Sequence, residues 1–372
     1  MKKKLGLIVN PVAGMGGRVG LKGSDGEEIQ KKARELGARP ESPRRAMDAL
    51  ERLATIKDSI EIITYPDEMG EIEAKECGFE PIVIGSIVPG KTSAQDTINA
   101  AKEMAEQKVD LILFAGGDGT ARNLFDALGN TDVPVIGIPA GVKIHSAVYA
   151  TNSRNAGEVA LMYLQGKIKK VQDSEVMDID EDAFREGRVT ARLYGYLKVP
   201  HEQRLVQNLK SGRTEGEEAA LNSIADHVIE SMEDNVLYII GPGTTTRAVM
   251  DKLGLKNTLL GVDVILNQKL IANDVTESQL LDLINGKKAK IVVTVIGGQG
   301  YIFGRGNQQL SPRVLRAVGK ENIMVIAPQT KLTALGNKPL LIDTGDYDVN
   351  SMLSGYYRVV TGYQRTVMRK AE

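Results

Sequence analysis

Short apolar runs alternate with amphipathic stretches along the first 165 residues. Residues 5–9, 60–63, 81–84, 109–114 and 133–139 are nearly continuous in Val, Ile and Leu, the pattern of strands buried on both faces. Between them, residues 25–36, 43–53, 68–77, 92–107, 121–128 and 155–165 place apolar side chains three and four apart, which predicts helices with one buried face. Ser42 followed by Pro43 reads as an N-cap and first-turn pair. The pattern changes near Gly166. Residues 168–180 and 188–199 are strand-like and joined by the acidic turn Asp178-Ile179-Asp180-Glu181-Asp182, and 201–214 is a polar loop. A helix over 215–232 follows. Strands at 236–240, 260–265, 289–296 and 323–326 then alternate with helices ending near Leu253, over 277–284 and after Ser311-Pro312. The chain ends in a segment at 340–346 and a strand around 356–360.

This order predicts an α/β protein: an N-terminal Rossmann-like parallel-sheet domain over residues 1–166 and a second, mixed α/β domain over 167–372, with the return of the last strand to the first domain left open. At 372 residues two cores are expected. Apolar residues make up 42% and charged residues 26%, as in a globular protein. With 4% aromatics and no Trp, the cores must rest on aliphatic side chains. A formal net charge of −1 argues against a general nucleic-acid or membrane surface. The single cysteine, Cys77, excludes an intrachain disulfide, and a reducing, cytoplasmic setting is expected. His145, His201 and His227 show no ligand spacing with each other or with Cys77, so no protein metal site is expected. The apolar run after Lys2-Lys3-Lys4 is too short for a signal peptide or a membrane span.

The candidate chemistry lies where strands end. Gly116-Gly117-Asp118-Gly119-Thr120 stands between a buried strand and a helix. Glycines admit a ligand close to the backbone, and the free N–H groups of a helix start favour phosphate. Asp118 can take a proton from an attacking hydroxyl or help hold a cation. The competing reading is a tight Asp-Gly turn capped by Thr120. A first strand-end loop carries Asn10, Pro11, Gly14, Gly16 and Gly17, and a third carries Gly141, Lys143, His145 and Ser146. Ends of parallel strands share one sheet edge, so the three loops strengthen one another. Lys143 suits phosphate neutralisation, and His145 or Ser146 can bond a sugar or phosphate. At residues 92–97, hydroxyls either cap a helix or turn its start toward a ligand. In the second half, Gly241-Pro242-Gly243-Thr244-Thr245-Thr246-Arg247 repeats the arrangement, with Gly243, Thr244 and Thr245 as phosphate donors and Arg247 as a clamp; a plain N-cap is the alternative. Asp263, inside an apolar run, is a secondary candidate. The acidic turn reads more readily as a solvated hairpin than as a cation site. Residues 297–308 are the densest in glycine, from close backbone approach or from mobility.

Asn10-Pro11 with Gly14, Gly116-Gly117-Asp118-Gly119-Thr120 and Pro139-Ala140-Gly141 together resemble the ATP-NAD kinase family. They also resemble the superfamily that includes diacylglycerol and sphingosine kinases and 6-phosphofructokinase. Within it the chain is most similar to the longer branch described as polyphosphate/ATP-NAD kinases, near the acetoin-catabolism protein X group. The resemblance implies that Asp118 is the base for the NAD 2′-hydroxyl. Gly116, Gly117, Gly119 and Thr120 then lie against nucleotide phosphates bridged by Mg²⁺. It also implies ATP (or polyphosphate) and NAD as substrates, and a homo-oligomer. The expected function is a kinase acting on a small hydroxyl acceptor, NAD⁺ before others. The alternatives are a kinase of another polyol, sugar or nucleoside, and a nucleotide-binding regulatory protein without turnover.

Overall fold

The computed structural model describes residues 2–21, 27–129, 131–142, 144–179, 191–202, 205–207 and 217–372. The chain forms two compact units: Met1–Met15, Gly23–Arg34 and Arg39–Leu209 make one, and Gly16–Lys22, Glu35–Ala38 and Lys210–Glu372 the other.

In the first unit the elements run β1 (Lys3–Val9), α1 (Glu27–Glu35), α2 (Ser42–Leu50), β2 (Ile60–Thr64), α3 (Glu71–Glu76), β3 (Ile82–Val83), α4 (Ala94–Glu106), β4 (Leu111–Gly116), α5 (Asp118–Leu128), β5 (Val135–Pro139), α6 (Ser153–Leu164), β6 (Val171–Ile179) and β7 (Ala191–Pro200). Five strands form a parallel sheet in the order β3-β2-β1-β4-β5, with Leu5 opposite both Ile62 and Leu111. Every residue of β4 is buried, as its continuous apolar run requires. From β1 the chain steps outward to β2 and β3, then crosses to β4 and steps the other way to β5. Right-handed crossovers place the helices after β1 and after β4 on opposite faces. The crevice between the ends of β1 and β4 is therefore the topological switch point, where open α/β sheets take their ligands. Gly6 leaves room for Met104 of α4, whose sulfur lies 2.8 Å from where a Cβ would stand. Phe114 of β4 packs edge-on against the fully buried Tyr149, centroids 5.3 Å apart. The antiparallel hairpin β6–β7 groups with this unit, and Phe125 of α5 fills the space over Gly195.

The second unit comprises α7 (Glu217–Glu230), β8 (Leu237–Ile240), α8 (Thr244–Lys252), β9 (Asp263–Leu266), β10 (Lys269–Ala272), α9 (Glu277–Ile284), β11 (Ala289–Thr294), β12 (Tyr301–Phe303), α10 (Pro312–Val318), β13 (Ile323–Ile326), α11 (Gln329–Ala334), β14 (Leu341–Ile342), α12 (Tyr347–Leu353), β15 (Gly355–Gly362) and β16 (Arg365–Ala371). Its seven-stranded sheet runs β10-β9-β8-β11-β13-β15-β16, parallel through β8, β11, β13 and β15 and antiparallel at both edges. Alternation splits the core. Leu237, Ile239, Ile291, Val293 and Val325 face α9, α10, α11 and α12. Tyr238, Ile240, Val292 and Ile326 face α7 and α8. The final strands belong to this sheet.

Several local expectations change. Ser42 is the first residue of α2 and makes no capping bond. At residues 92–97 capping prevails: Ser93 and Asp96 form a reciprocal capping box at the start of α4. Of the glycines in 297–308, Gly304 serves close approach. A Cβ on Gly304 would stand 1.8 Å from the Asp343 carbonyl, beside the buried Arg305–Asp343 ion pair of 2.7 Å. Asp180, Glu181 and Asp182 of the acidic turn lie outside the described residues. Among the described residues no helix is long and apolar enough to cross a membrane.

Candidate active site

The site grows from the junction of β4 and α5. Asp118 is the first residue of the helix itself, one step further in than the loop apex that its glycine neighbours suggest. Its N-cap, Gly117, is extended and offers no side chain, so no side-chain cap covers the first-turn amides of α5. Uncapped amides at the positive end of a helix dipole are an anion seat.

Three strand ends are drawn together behind that seat. The Asn10 amide side chain donates to Thr120 Oγ1 at 2.9 Å, and its backbone N–H donates to the Ala115 carbonyl at 3.0 Å. This joins the loop after β1 to the central motif at the switch point. The loop after β5 joins through the Ala140 and Gly141 amides, both donating to the Gly116 carbonyl at 2.9 and 3.0 Å. Glycine is required at several of these positions. Gly14 has φ +80°, and a Cβ there would stand 2.1 Å from the Ala140 carbonyl oxygen. A Cβ on Gly141 would stand 2.6 Å from Gly117 Cα, and one on Gly116 2.3 Å from Thr120 Oγ1. At Gly119 a Cβ would meet only the tip of Arg122 at 3.7 Å, so packing does not demand glycine there.

Asp118 is 9% exposed, and both its oxygens are engaged. Oδ2 accepts the His145 backbone N–H at 2.8 Å and lies 3.3 Å from His145 Nδ1; Oδ1 accepts the Ser146 N–H at 3.0 Å. The carboxylate therefore pins the third loop onto the second. Ser146 is engaged within the protein: its hydroxyl accepts from the Met177 amide at 2.9 Å, and its carbonyl accepts from Gln207 at 2.6 Å. Lys143 lies outside the described residues.

Two supporting residues were not found by sequence reasoning. Tyr149 donates its hydroxyl to the Gly117 carbonyl at 2.5 Å, fixing the N-cap of α5. Buried Arg45 of α2 donates to the Pro139 carbonyl at 2.9 Å. Arg45 sits in a helix rich in charge and looks like a surface residue, so only its tertiary partner reveals it.

The other candidates belong to the second unit. Gly16 belongs to the second unit, where its carbonyl accepts the Leu21 amide at 2.9 Å. Gly243, Thr244 and Thr245 also lie in the second unit, at the start of α8. Arg247, proposed as a clamp, pairs with Asp251 at 3.2 Å. The Asp263 carboxylate closes a turn: it accepts from the Thr258 amide at 2.6 Å, Asn273 Nδ2 at 2.7 Å and the Asp274 amide at 2.9 Å. Burial raises its carboxyl above the usual range while the Asp274 and Thr258 amides pull it back. It is a structural acid.

A divalent cation finds little protein to hold it. Among the described residues no group of three or more His, Cys, Asp or Glu is placed to ligate a metal. At the α5 seat the one carboxylate is already bonded to two amides. These residues do not form a cation cage; Mg²⁺ commonly relies on substrate phosphates and water instead.

An uncapped helix start with an acid at its first position and glycine loops packed at a switch point form an arrangement suited to phosphate groups. The comparisons narrow the class. The ATP-NAD kinase N-terminal domain matches residues 5–168 and the ATP-NAD kinase C-terminal domain matches residues 233–370. The chain belongs to the ATP-NAD kinase family. No curated protein matches it. Similar solved structures include one described as "a putative diacylglycerol kinase from Bacillus anthracis str. Sterne". It is 18% identical, with 48% of this chain and 46% of that chain covered and a TM-score of 0.26. A second structure of a diacylglycerol kinase from the same organism is 19% identical, with 48% and 43% covered and a TM-score of 0.25. The chain spans less than half the length of these relatives.

Proposed function

We propose that the protein phosphorylates NAD⁺ at its 2′-hydroxyl, with ATP as donor. The observation that carries this reading is the uncapped first turn of α5, with Asp118 at its start and the loops after β1 and β5 bonded to it. Each carboxylate oxygen has two lone pairs, and the amides use one on each. With His145 Nδ1 also near Oδ2, Oδ1 is the freer atom to accept a proton. In the step proposed, the acceptor oxygen forms a bond to the γ-phosphorus as the bond to the β–γ bridging oxygen breaks. The hydroxyl proton passes to Asp118, and ADP leaves. Transfer of this kind depends mainly on positioning and charge stabilisation. The first-turn amides of α5 supply both, and the glycines let phosphate oxygens approach them. A divalent cation arriving with ATP would supply charge neutralisation, held by the substrate rather than by a cage of this chain's described side chains.

The test is an assay of the purified full chain with labelled ATP or polyphosphate, Mg²⁺, and a panel of NAD⁺, polyols, sugars and nucleosides. NADP⁺ is the expected product. Asp118→Asn is expected to lower kcat by about 100-fold or more, the usual worth of a positioned base. Transfer to another alcohol but not to NAD⁺ overturns the acceptor. Undiminished transfer by Asp118→Asn overturns the role of the carboxylate.

A further inference from the structure

The second unit has a switch point of its own. β8 and β11 are neighbouring parallel strands, with Ile239 opposite Ile291. The helices that follow them leave on opposite faces: α8 packs on the side of Ile240 and Val292, and α10 on the side of Ile239 and Val293. A crevice at such a point, beyond the strand ends, is where ligands enter.

The residues around it have the chemistry of an anion seat. α8 is nine residues long, and its N-cap is Gly243, with φ +134° and no side-chain cap over the amides of the first turn. Thr294 ends β11, and alternation puts its side chain on the α8 face beside Val292. A Cβ on Gly243 would stand 2.5 Å from its methyl group, so the two strand ends are in close contact. Thr294 is 8% exposed, and its hydroxyl is buried with no hydrogen-bond partner among the described residues. An unmet buried hydroxyl is destabilising, and a ligand oxygen bonded to it would relieve that cost. Lys331, from α11, brings its ammonium to 2.9 Å from Thr245 Oγ1 in the same first turn. Thr244 is exposed beside it.

We infer that the second unit carries its own phosphate site, at the start of α8, built from the first-turn amides, Thr244, Thr294 and Lys331. Its ligand is a phosphate group, free or carried by a nucleotide. The inference does not depend on NAD⁺ being the acceptor.

Hydrogen exchange of the full chain, read by mass spectrometry on peptides covering residues 243–249, tests it with inorganic phosphate, ATP and NAD⁺ in separate arms. The first-turn amides are expected to exchange at least about fivefold more slowly in at least one arm, since a bonded amide exchanges only on opening. Protection by inorganic phosphate marks the free ion as sufficient; protection by ATP or NAD⁺ alone marks a nucleotide. Lys331→Gln is expected to weaken binding about tenfold, the loss of one charge-assisted bond. Thr294→Val, which keeps the side chain's shape, is expected to weaken it severalfold. The proposal is overturned if none of the three ligands slows these amides, or if both variants retain full protection. NADP⁺ formation is not read, so a failed acceptor assignment leaves this result untouched.

Discussion

Asp118→Asn separates two roles that a kinase assay alone would merge. In the native protein the carboxylate accepts amides from two consecutive residues, His145 at 2.8 Å and Ser146 at 3.0 Å. Asparagine keeps one oxygen for one of them and turns an NH₂ toward the other, leaving a buried amide unpaired. That costs about 1–3 kcal/mol. Asp118→Ala leaves both unpaired and is expected to cost about 2–6 kcal/mol, twice the single loss. Urea unfolding gives the global value, and hydrogen exchange at residues 145–147 gives the local one. Asn should speed exchange there by tenfold or more, with the rest of the first sheet unaltered. A catalytic loss much larger than the loss of folded protein would then belong to the proton transfer. Should Asp118→Ala unfold within about 0.5 kcal/mol of wild type, with residues 145–147 as protected as before, the pinning of the third loop is refuted.

Other expectations follow from the same packing. Gly14→Ala must adopt φ +80° and press on the Ala140 carbonyl; at about 1–2 kcal/mol for the left-handed conformation alone, it is expected to lower Tm by several degrees in calorimetry. A double-mutant cycle of Asn10→Ala and Thr120→Val should show a coupling of about 0.5–1.5 kcal/mol, one hydrogen bond, and additive costs would contradict the bond. Glu73 of α3 is buried, one of its carboxylate oxygens lacks a partner among the described residues, and burial pushes its carboxyl up to about 7. The folded state holds this proton more tightly than the unfolded chain. Its contribution is therefore complete below the ordinary carboxylate range and is lost as pH rises toward 7. Glu73→Gln should flatten that fall and add up to roughly 3 kcal/mol at pH 8, measured by urea unfolding across pH.

The first sheet was legible because strands buried on both faces write themselves as unbroken apolar runs. β1, β4 and β5 are recovered within two residues, and with them the three loops whose glycines Gly14, Gly116, Gly117 and Gly141 meet. Composition and spacing do not carry tertiary partners. Tyr149 reads as core, and nothing in its neighbourhood of sequence points to the Gly117 carbonyl. Asp263 reads as a costly buried charge until the amides at 258 and 274 are seen to close on it. β16 alternates polar and apolar residues at a sheet edge, with Arg365, Arg369 and Lys370 diluting the strand signal. The loop at Gly243 illustrates the converse. Its local pattern matches the central motif well, and only the sheet topology shows that it sits at a separate switch point.

The assignment of Gly16–Lys22 to the second unit has a consequence for biosynthesis. Arg18 is made well before Glu277, and its carbonyl accepts the amide of that residue at the start of α9. At about 5–20 residues per second, ribosomes deliver that partner only after a delay on the order of ten seconds or more. The second unit is thus discontinuous along the message. Its earliest segment must wait, unpaired, until most of the chain has emerged, while the strands of the first sheet are already available to one another. A fragment cut to residues 210–372 lacks that segment altogether, and a vector for the second unit has to carry the N-terminal loop as well.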